Sequence, residues 1–211
     1  MERENTRNLP VTTAKAVSLL FHPLVIPLYG LLVIFFSPTL FQYLPVKVKE
    51  ILFFIFLINN ILIPVSLVPF FRYWHYFTPA KTEEKREKLI PLITVSFLYL
   101  ITSIIMFRLH IPVFLKVYSY SLTILSVVLF VLSLRMKISL HSAGGGALTA
   151  LVMALSLKMS SGLPFLTVTS ILLSGIILSS RLKLNIHKPS EVYTGFLIGF
   201  VILATGLLFF Q

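Results

Sequence analysis

The chain has 211 residues, of which 57% are hydrophobic and 12% charged, with a formal net charge of +11 and no cysteine. A water-soluble domain of this length carries about a quarter charged residues, so the composition excludes a globule covered by polar surface and makes lipid the solvent for much of the outside. The missing cysteine excludes a disulfide framework and thiol chemistry.

The positive charge first suggests nucleic acid. The cations, however, fall in short segments between apolar runs, where membrane-flanking Lys and Arg belong. No nucleic-acid partner is expected; the expected partners are the lipid bilayer and a phosphate-bearing lipid. The seven acidic residues are all Glu. Membrane enzymes that hold Mg²⁺ against a pyrophosphate need carboxylate clusters for that hard cation. Aspartate-rich prenyltransferases and CDP-alcohol transferases are poor candidates, and no metal or other cofactor is expected.

Residues 1–15 read as a polar segment of mixed charge ahead of a single transmembrane domain over 16–211. No small-residue cleavage pattern follows the adjoining apolar run, so the segment does not read as a cleavable signal peptide. Apolar runs follow at about 16–36, 51–71, 89–107, 111–134, 141–157, 163–179 and 192–210. A membrane span needs about 20 apolar residues, and backbone groups in hydrocarbon must be satisfied internally. The expected fold is therefore all-α: a polytopic transmembrane helical bundle with about seven spans. Pro23, Pro27, Pro64 and Pro69 lie inside runs and predict kinks. Asn59 and Asn60 lie inside the second run, and an interhelical hydrogen bond is their expected use.

Folding this chain as a zigzag sorts its polar segments onto two faces. The amino terminus and segments 72–88, 135–140 and 180–191 fall on one. Segments 37–50, 108–110 and 158–162 fall on the other with the carboxyl terminus. Of the 18 Lys and Arg residues, Lys47, Lys49, Arg108, Lys116 and Lys158 belong to the second face and the rest to the first.

Three clusters on the first face carry candidate chemistry. Segment 81–91 contains Lys81, Lys85, Arg86 and Lys88; alone it reads as a solvated charge run that meets lipid headgroups. Segment 138–146 contains Ser139, His141 and Gly144-Gly145-Gly146 at a helix start. Free amides there attract anions, whereas small residues equally serve close helix packing. Segment 180–191 contains Ser180, Arg181, His187 and Glu191. Pro189 suits the first turn of the last helix and puts Glu191 near the third helical position, where the helix dipole favours a carboxylate. The alternative is a His–Glu pair. It would fix the imidazole tautomer and leave one nitrogen free to attack, with Arg181 as a planar fork for phosphate oxygens. Together these are the parts for phosphoryl transfer without metal.

The same residues resemble the type 2 phosphatidic acid phosphatase family, the membrane relatives of vanadium haloperoxidases. Ser180-Arg181, five residues, His187, three residues, Glu191 matches the spacing of the family's third motif, with Glu in place of Asp. Ser139 and His141 keep two residues of its Pro-Ser-Gly-His motif, with Leu140 in place of Gly. Lys81 and Lys88 keep the spacing of its Lys, six residues, Arg-Pro motif, with Lys in place of Arg and Leu89 in place of Pro. The run from Ser180 to Gly199 is similar to a divergent bacterial branch, and the resemblance covers about residues 72–205.

The resemblance implies a core of six helices and hydrolysis of a lipid phosphate monoester or diphosphate through a phosphohistidine. It implies His187 as nucleophile, Glu191 as the group that orients it, and His141 as proton donor to the leaving alkoxide. Lys81, Lys88, Ser139 and Arg181 would bind phosphate oxygens, without metal. The alternative is a catalytically weakened or inactive member of the same fold, acting as a lipid-phosphate binding or membrane assembly protein. The expected location is a bacterial cytoplasmic membrane. The cation bias puts the polar face in the cytoplasm, whereas the family analogy puts it in the periplasm.

Overall fold

The computed structural model describes residues 12–75, 83–158 and 162–209 and, within them, the side chains outside 70–88. Every regular element among the described residues is helical. In chain order these are α1 (12–20), α2 (Ile26–Phe36), α3 (Val46–Leu57), α4 (Ile63–His75), α5 (Glu83–Arg108), α6 (Val113–Ser133), α7 (Leu140–Lys158), α8 (Pro164–Lys183) and α9 (Pro189–Phe209). Six stretches are long and apolar enough to cross a membrane: Val46–Pro69, Leu89–Arg108, Val113–Ser133, Leu140–Lys158, Pro164–Lys183 and Pro189–Phe209. The chain is a multi-pass helical membrane protein. Its outward surface fits lipid, since Phe97, Ile104, Leu172, Ile176, Leu197 and Val201 are all exposed.

The first apolar run is helical but not continuous. Its last α1 bond is donated by the Phe21 amide to the Val17 carbonyl at 2.9 Å. Pro23 has no amide hydrogen and its ring crowds the carbonyl four residues back, so the helix stops there. The chain turns through residues 21–25 and resumes as α2, with Pro27 in its first turn. The 11 residues of α2 rise about 16 Å, roughly half of a hydrocarbon core.

The second run bends by a different device. A π-helical turn, Ile58–Leu62, joins α3 to α4 just before Pro64. The wider turn takes up the carbonyl that the proline ring would otherwise crowd. Asn60 sits in this turn with only 2% exposure. Its Oδ1 accepts a 2.9 Å hydrogen bond from the Thr102 hydroxyl of α5, the interhelical bond expected of it.

The helices close into a ring in which α7 packs on α9, α9 on α6, α6 on α5, α5 on the π-helical turn, α3 on α2 and α2 on α7; α8 lies against α7 and α9. Helix α7 is the axis of this arrangement, with 67% of its span buried. Its glycines explain how it can be. Successive residues of a helix turn by about 100°, so Gly144, Gly145 and Gly146 face three neighbours. A Cβ at Gly144 would strike Ile26 of α2, one at Gly145 would press on Ser174 of α8, and one at Gly146 would strike the backbone of Phe196 and Phe200 in α9. Helix α9 answers with Gly195 and Gly199, whose missing Cβ atoms leave room for the carbonyls of Ser139 and Ala143. In lipid such close backbone approach takes the place of the hydrophobic effect in holding helices together.

The zigzag holds for the described segments. At one end the Ser139 amide donates to the Glu191 carbonyl at 3.3 Å, so the amino termini of α7 and α9 stand side by side. At the other end the Phe41 and Phe114 rings lie 5.2 Å apart, which joins the turn after α2 to the start of α6.

Candidate functional site

The polar end of the bundle is assembled from α7, α8, α9 and the break between α1 and α2. Helix α8 ends in a turn that sets its geometry. Leu184 closes the helix, and Asn185 takes a left-handed backbone conformation with φ of 51°. Asn is one of the few side chains that tolerates this C-terminal position. The Asn185 amide donates to the Leu182 carbonyl at 3.0 Å, and the reversed chain presents His187 just before α9.

His187 and Glu191 form the pair that their spacing predicts. Nδ1 of His187 lies 2.8 Å from Oε2 of Glu191, and the two side chains are 17% and 16% exposed. An ionised carboxylate can only accept, so Nδ1 carries the hydrogen, and in the neutral ring Nε2 carries the lone pair. The same Oε2 accepts from the Lys188 amide at 3.3 Å. Glu191 thus reaches back to the residue that caps α9, as the third residue of a capping box does. The helix-terminus role and the His–Glu role are not alternatives, for one oxygen performs both. Glu191, one methylene longer than Asp, reaches both partners.

Arg181, in the last turn of α8, is buried at 8% exposure. Its Nη1 donates to the Ser18 hydroxyl at 3.3 Å, and its Nε is a buried donor with no hydrogen-bond partner. Among the described residues no carboxylate pairs with it; the ion pair found there is His187 with Glu191. A guanidinium donor held out of solvent without an acceptor is unfavourable until one reaches it.

His141, in the first turn of α7, lies 3.1 Å through Nε2 from the Ser18 carbonyl. A carbonyl only accepts, so this nitrogen carries a hydrogen. His187 and Arg181 are both within electrostatic reach of His141. The residues predicted as nucleophile, orienting group, proton donor and anion clamp therefore share one end of the bundle.

Ser139 and the glycine run also have structural roles. Ser139 is fully buried, and its Oγ accepts from the Ser142 hydroxyl at 2.9 Å and the Ser142 amide at 3.4 Å. It caps α7. The glycine run lies beyond the first turn of α7 and packs against three helices, as its close-packing reading has it. Lys81 lies outside the described residues, as does the side chain of Lys88.

Ser18 and His22 were not singled out from the sequence. The His22 ring stands edge-on to His141 with centroids 5.6 Å apart, and its Nδ1 accepts weakly from the Leu24 amide at 3.4 Å. Burial holds the His22 imidazole below its ordinary value of 6.5, and the Arg181 guanidinium pushes the same way. The available signal was the His22-Pro23 step, where a helix break exposes a polar side chain in an apolar run. Among the described residues no cluster of three or more His, Cys, Asp or Glu side chains could hold a metal ion. Compared with family models, curated proteins and solved structures, the chain matches none.

Proposed function

We propose that the chain is an integral membrane phosphatase that hydrolyses a lipid phosphate monoester or diphosphate through a phosphohistidine. The observation that carries this reading is a buried Arg181 with an unpartnered Nε at the same helix-bundle end as an imidazole whose Nδ1 is held by Glu191. A phosphate dianion completes both. Its oxygens supply the missing guanidinium partner, with charge-assisted bonds about twice as strong as neutral ones, and its phosphorus is the electrophile for Nε2.

The proposed reaction follows in two steps. His187 Nε2 attacks phosphorus, and the bond to the lipid oxygen breaks. His141 must enter this step as an imidazolium; it gives one ring proton to that oxygen and becomes neutral, releasing a lipid alcohol, or a lipid monophosphate from a diphosphate. The positive charge on His187 is stabilised through Nδ1 by Glu191. Water then attacks the phosphohistidine, His141 accepts the water proton, and inorganic phosphate leaves with His187 restored. Arg181 neutralises the non-bridging oxygens throughout, an electrostatic contribution that grows where water is excluded. Lys81 and Lys88 are assigned as further phosphate ligands by the resemblance. The proposed membrane is a bacterial cytoplasmic membrane, with this end in the cytoplasm.

The test is inorganic phosphate release from phosphatidate and from a polyprenyl diphosphate by the purified protein, with EDTA present. His187→Ala is expected to abolish release, and His141→Ala to slow it by about 10²- to 10⁴-fold. Wild-type rates in both variants would overturn the mechanism. Binding of these lipids without turnover would instead make the chain a lipid-phosphate binder.

A further inference from the structure

The segment ahead of the first full span does more than lead into the bundle. It touches the two groups that the proposed reaction needs free. The Ser18 carbonyl meets His141 Nε2 at 3.1 Å, the Ser18 hydroxyl meets Arg181 Nη1 at 3.3 Å, and His22 stacks edge-on against His141. One serine thus presents two oxygens to an imidazole N–H and a guanidinium. Two oxygens of a phosphate monoester would meet the same two donors.

The fit is deliberately incomplete in charge. Ser18 is neutral, no carboxylate among the described residues pairs with Arg181, and its Nε has no hydrogen-bond partner. An anion in its place forms stronger, charge-assisted bonds to the same donors. The segment also has a hinge. Helix α1 stops before Pro23, and residues 21–25 are held mainly by the Val25 amide donating to the His22 carbonyl at 2.8 Å and the Ile26 amide to the same oxygen at 3.3 Å. A latch ties α1 to α2 beyond the hinge, where the Tyr29 hydroxyl donates to the Leu20 carbonyl at 3.1 Å. The contact face of α1 is marked by Ala14, which is 5% exposed, whereas Leu19 on its outer side is 77% exposed.

We propose that residues 12–25 form a hinged strap that closes the polar end of the bundle, with Ser18 as a neutral stand-in for two oxygens of an alkyl phosphate, and that the phosphate displaces the strap on binding. The proposal rests on the reading of Arg181 as the phosphate site. It adds that the site is closed at rest, and that entry of a lipid phosphate and lifting of α1 are one event.

The native chain has no cysteine, so Ala14→Cys gives the full-length protein a single thiol on the covered face of the strap. Maleimide labelling of this variant is measured in dodecyl maltoside micelles. Dodecyl phosphate is expected to speed labelling about tenfold, a factor that corresponds to about 1.4 kcal/mol, while dodecyltrimethylammonium leaves the rate unchanged. Inorganic phosphate, which offers the same oxygens without the chain, is expected to act only at higher concentration. Adding Ser18→Ala is expected to raise the resting rate. Binding of dodecyl phosphate is followed in parallel by calorimetry on the protein with and without Arg181→Gln. If binding occurs and needs Arg181 but the thiol rate stays constant, the strap is overturned and the site stands. If Arg181→Gln leaves binding unchanged, the site reading fails and the strap with it.

Discussion

Glu191 accepts from both a ring nitrogen and the backbone amide of Lys188 with a single oxygen. Shortening it to Asp withdraws that oxygen by one methylene from partners set by the turn at Asn185. Glu191→Asp is therefore expected to lose the His187 contact and to lower phosphate release by about 100-fold, the scale of an ångström-size misplacement. Glu191→Gln keeps the length and an acceptor oxygen, so it retains the tautomer but not the charge that stabilises the attacked ring. Its kcat is expected to fall while KM holds, and a change confined to KM would refute the orienting role. A second expectation concerns acid. Arg181 from α8 and His141 from α7 face His22, and burial depresses its affinity for a proton. With the strap lifted, His22 titrates near its ordinary 6.5. The closed form gains nothing from this group above that pH and loses stability as pH falls through it, levelling off below the depressed value. Hydrogen exchange at residues 12–20, corrected for its intrinsic pH dependence, should speed up below about pH 6.5 and lose part of that response in His22→Gln. The His187–Glu191 pair was legible because both residues sit on one helical turn, where spacing dictates contact. Ser18 was not, because it lies 163 positions from Arg181 and nothing in a local pattern joins them.

At the level of elements, proline positions forecast where helices break but not how. Pro23 ends α1 outright, whereas Pro64 is absorbed by a π-helical turn that keeps the second span continuous. The difference lies in what surrounds each. The break at Pro23 opens onto the polar site, where turn residues find partners; Pro64 stands in the bundle, where an interrupted backbone has no water to satisfy it. The glycine run shows a similar limit. Its composition suited both an anion cradle and close packing, and only the neighbours of α7 decide between them. Two alanine substitutions separate packing from propensity. A Cβ at Gly199 falls against the Ala143 backbone, while one at Gly175 meets nothing within 4 Å. Gly199→Ala is expected to destabilise the folded protein by about 1–3 kcal/mol through overpacking. Gly175→Ala removes only the conformational cost of a helical glycine, and a gain of about 0.5–1 kcal/mol is expected. Unfolding titrations in mixed micelles measure both, and equal effects would deny α7–α9 packing its special role.

For the whole molecule, the remaining question is which side of the membrane the polar end faces. Its answer decides which leaflet supplies the proposed substrate. The zigzag read from the sequence assigns the cation excess to that end, but part of it would be there for phosphate binding in either orientation. Setting aside Lys81, Lys88 and Arg181 as candidate ligands removes that share. The excess over Lys47, Lys49, Arg108, Lys116 and Lys158 at the other end persists. The cations that remain, such as Arg135 and Lys137 between α6 and α7, have positions that insertion alone explains. The proposed orientation therefore puts the polar end in the cytoplasm, where anionic headgroups also attract juxtamembrane Lys and Arg by about 1 kcal/mol each. Single cysteines can report it without interference, since the chain has none. Met136→Cys marks the polar end at a side chain that is 49% exposed, and Gln42→Cys marks the opposite end in the turn after α2. In intact cells a membrane-impermeant maleimide is expected to label position 42 at once and position 136 only after permeabilisation. The reverse pattern would move the site to the outer face and make outer-leaflet lipid phosphates its substrates. The strap would then open toward the outside, while the pairing of His187 with Glu191 would be untouched.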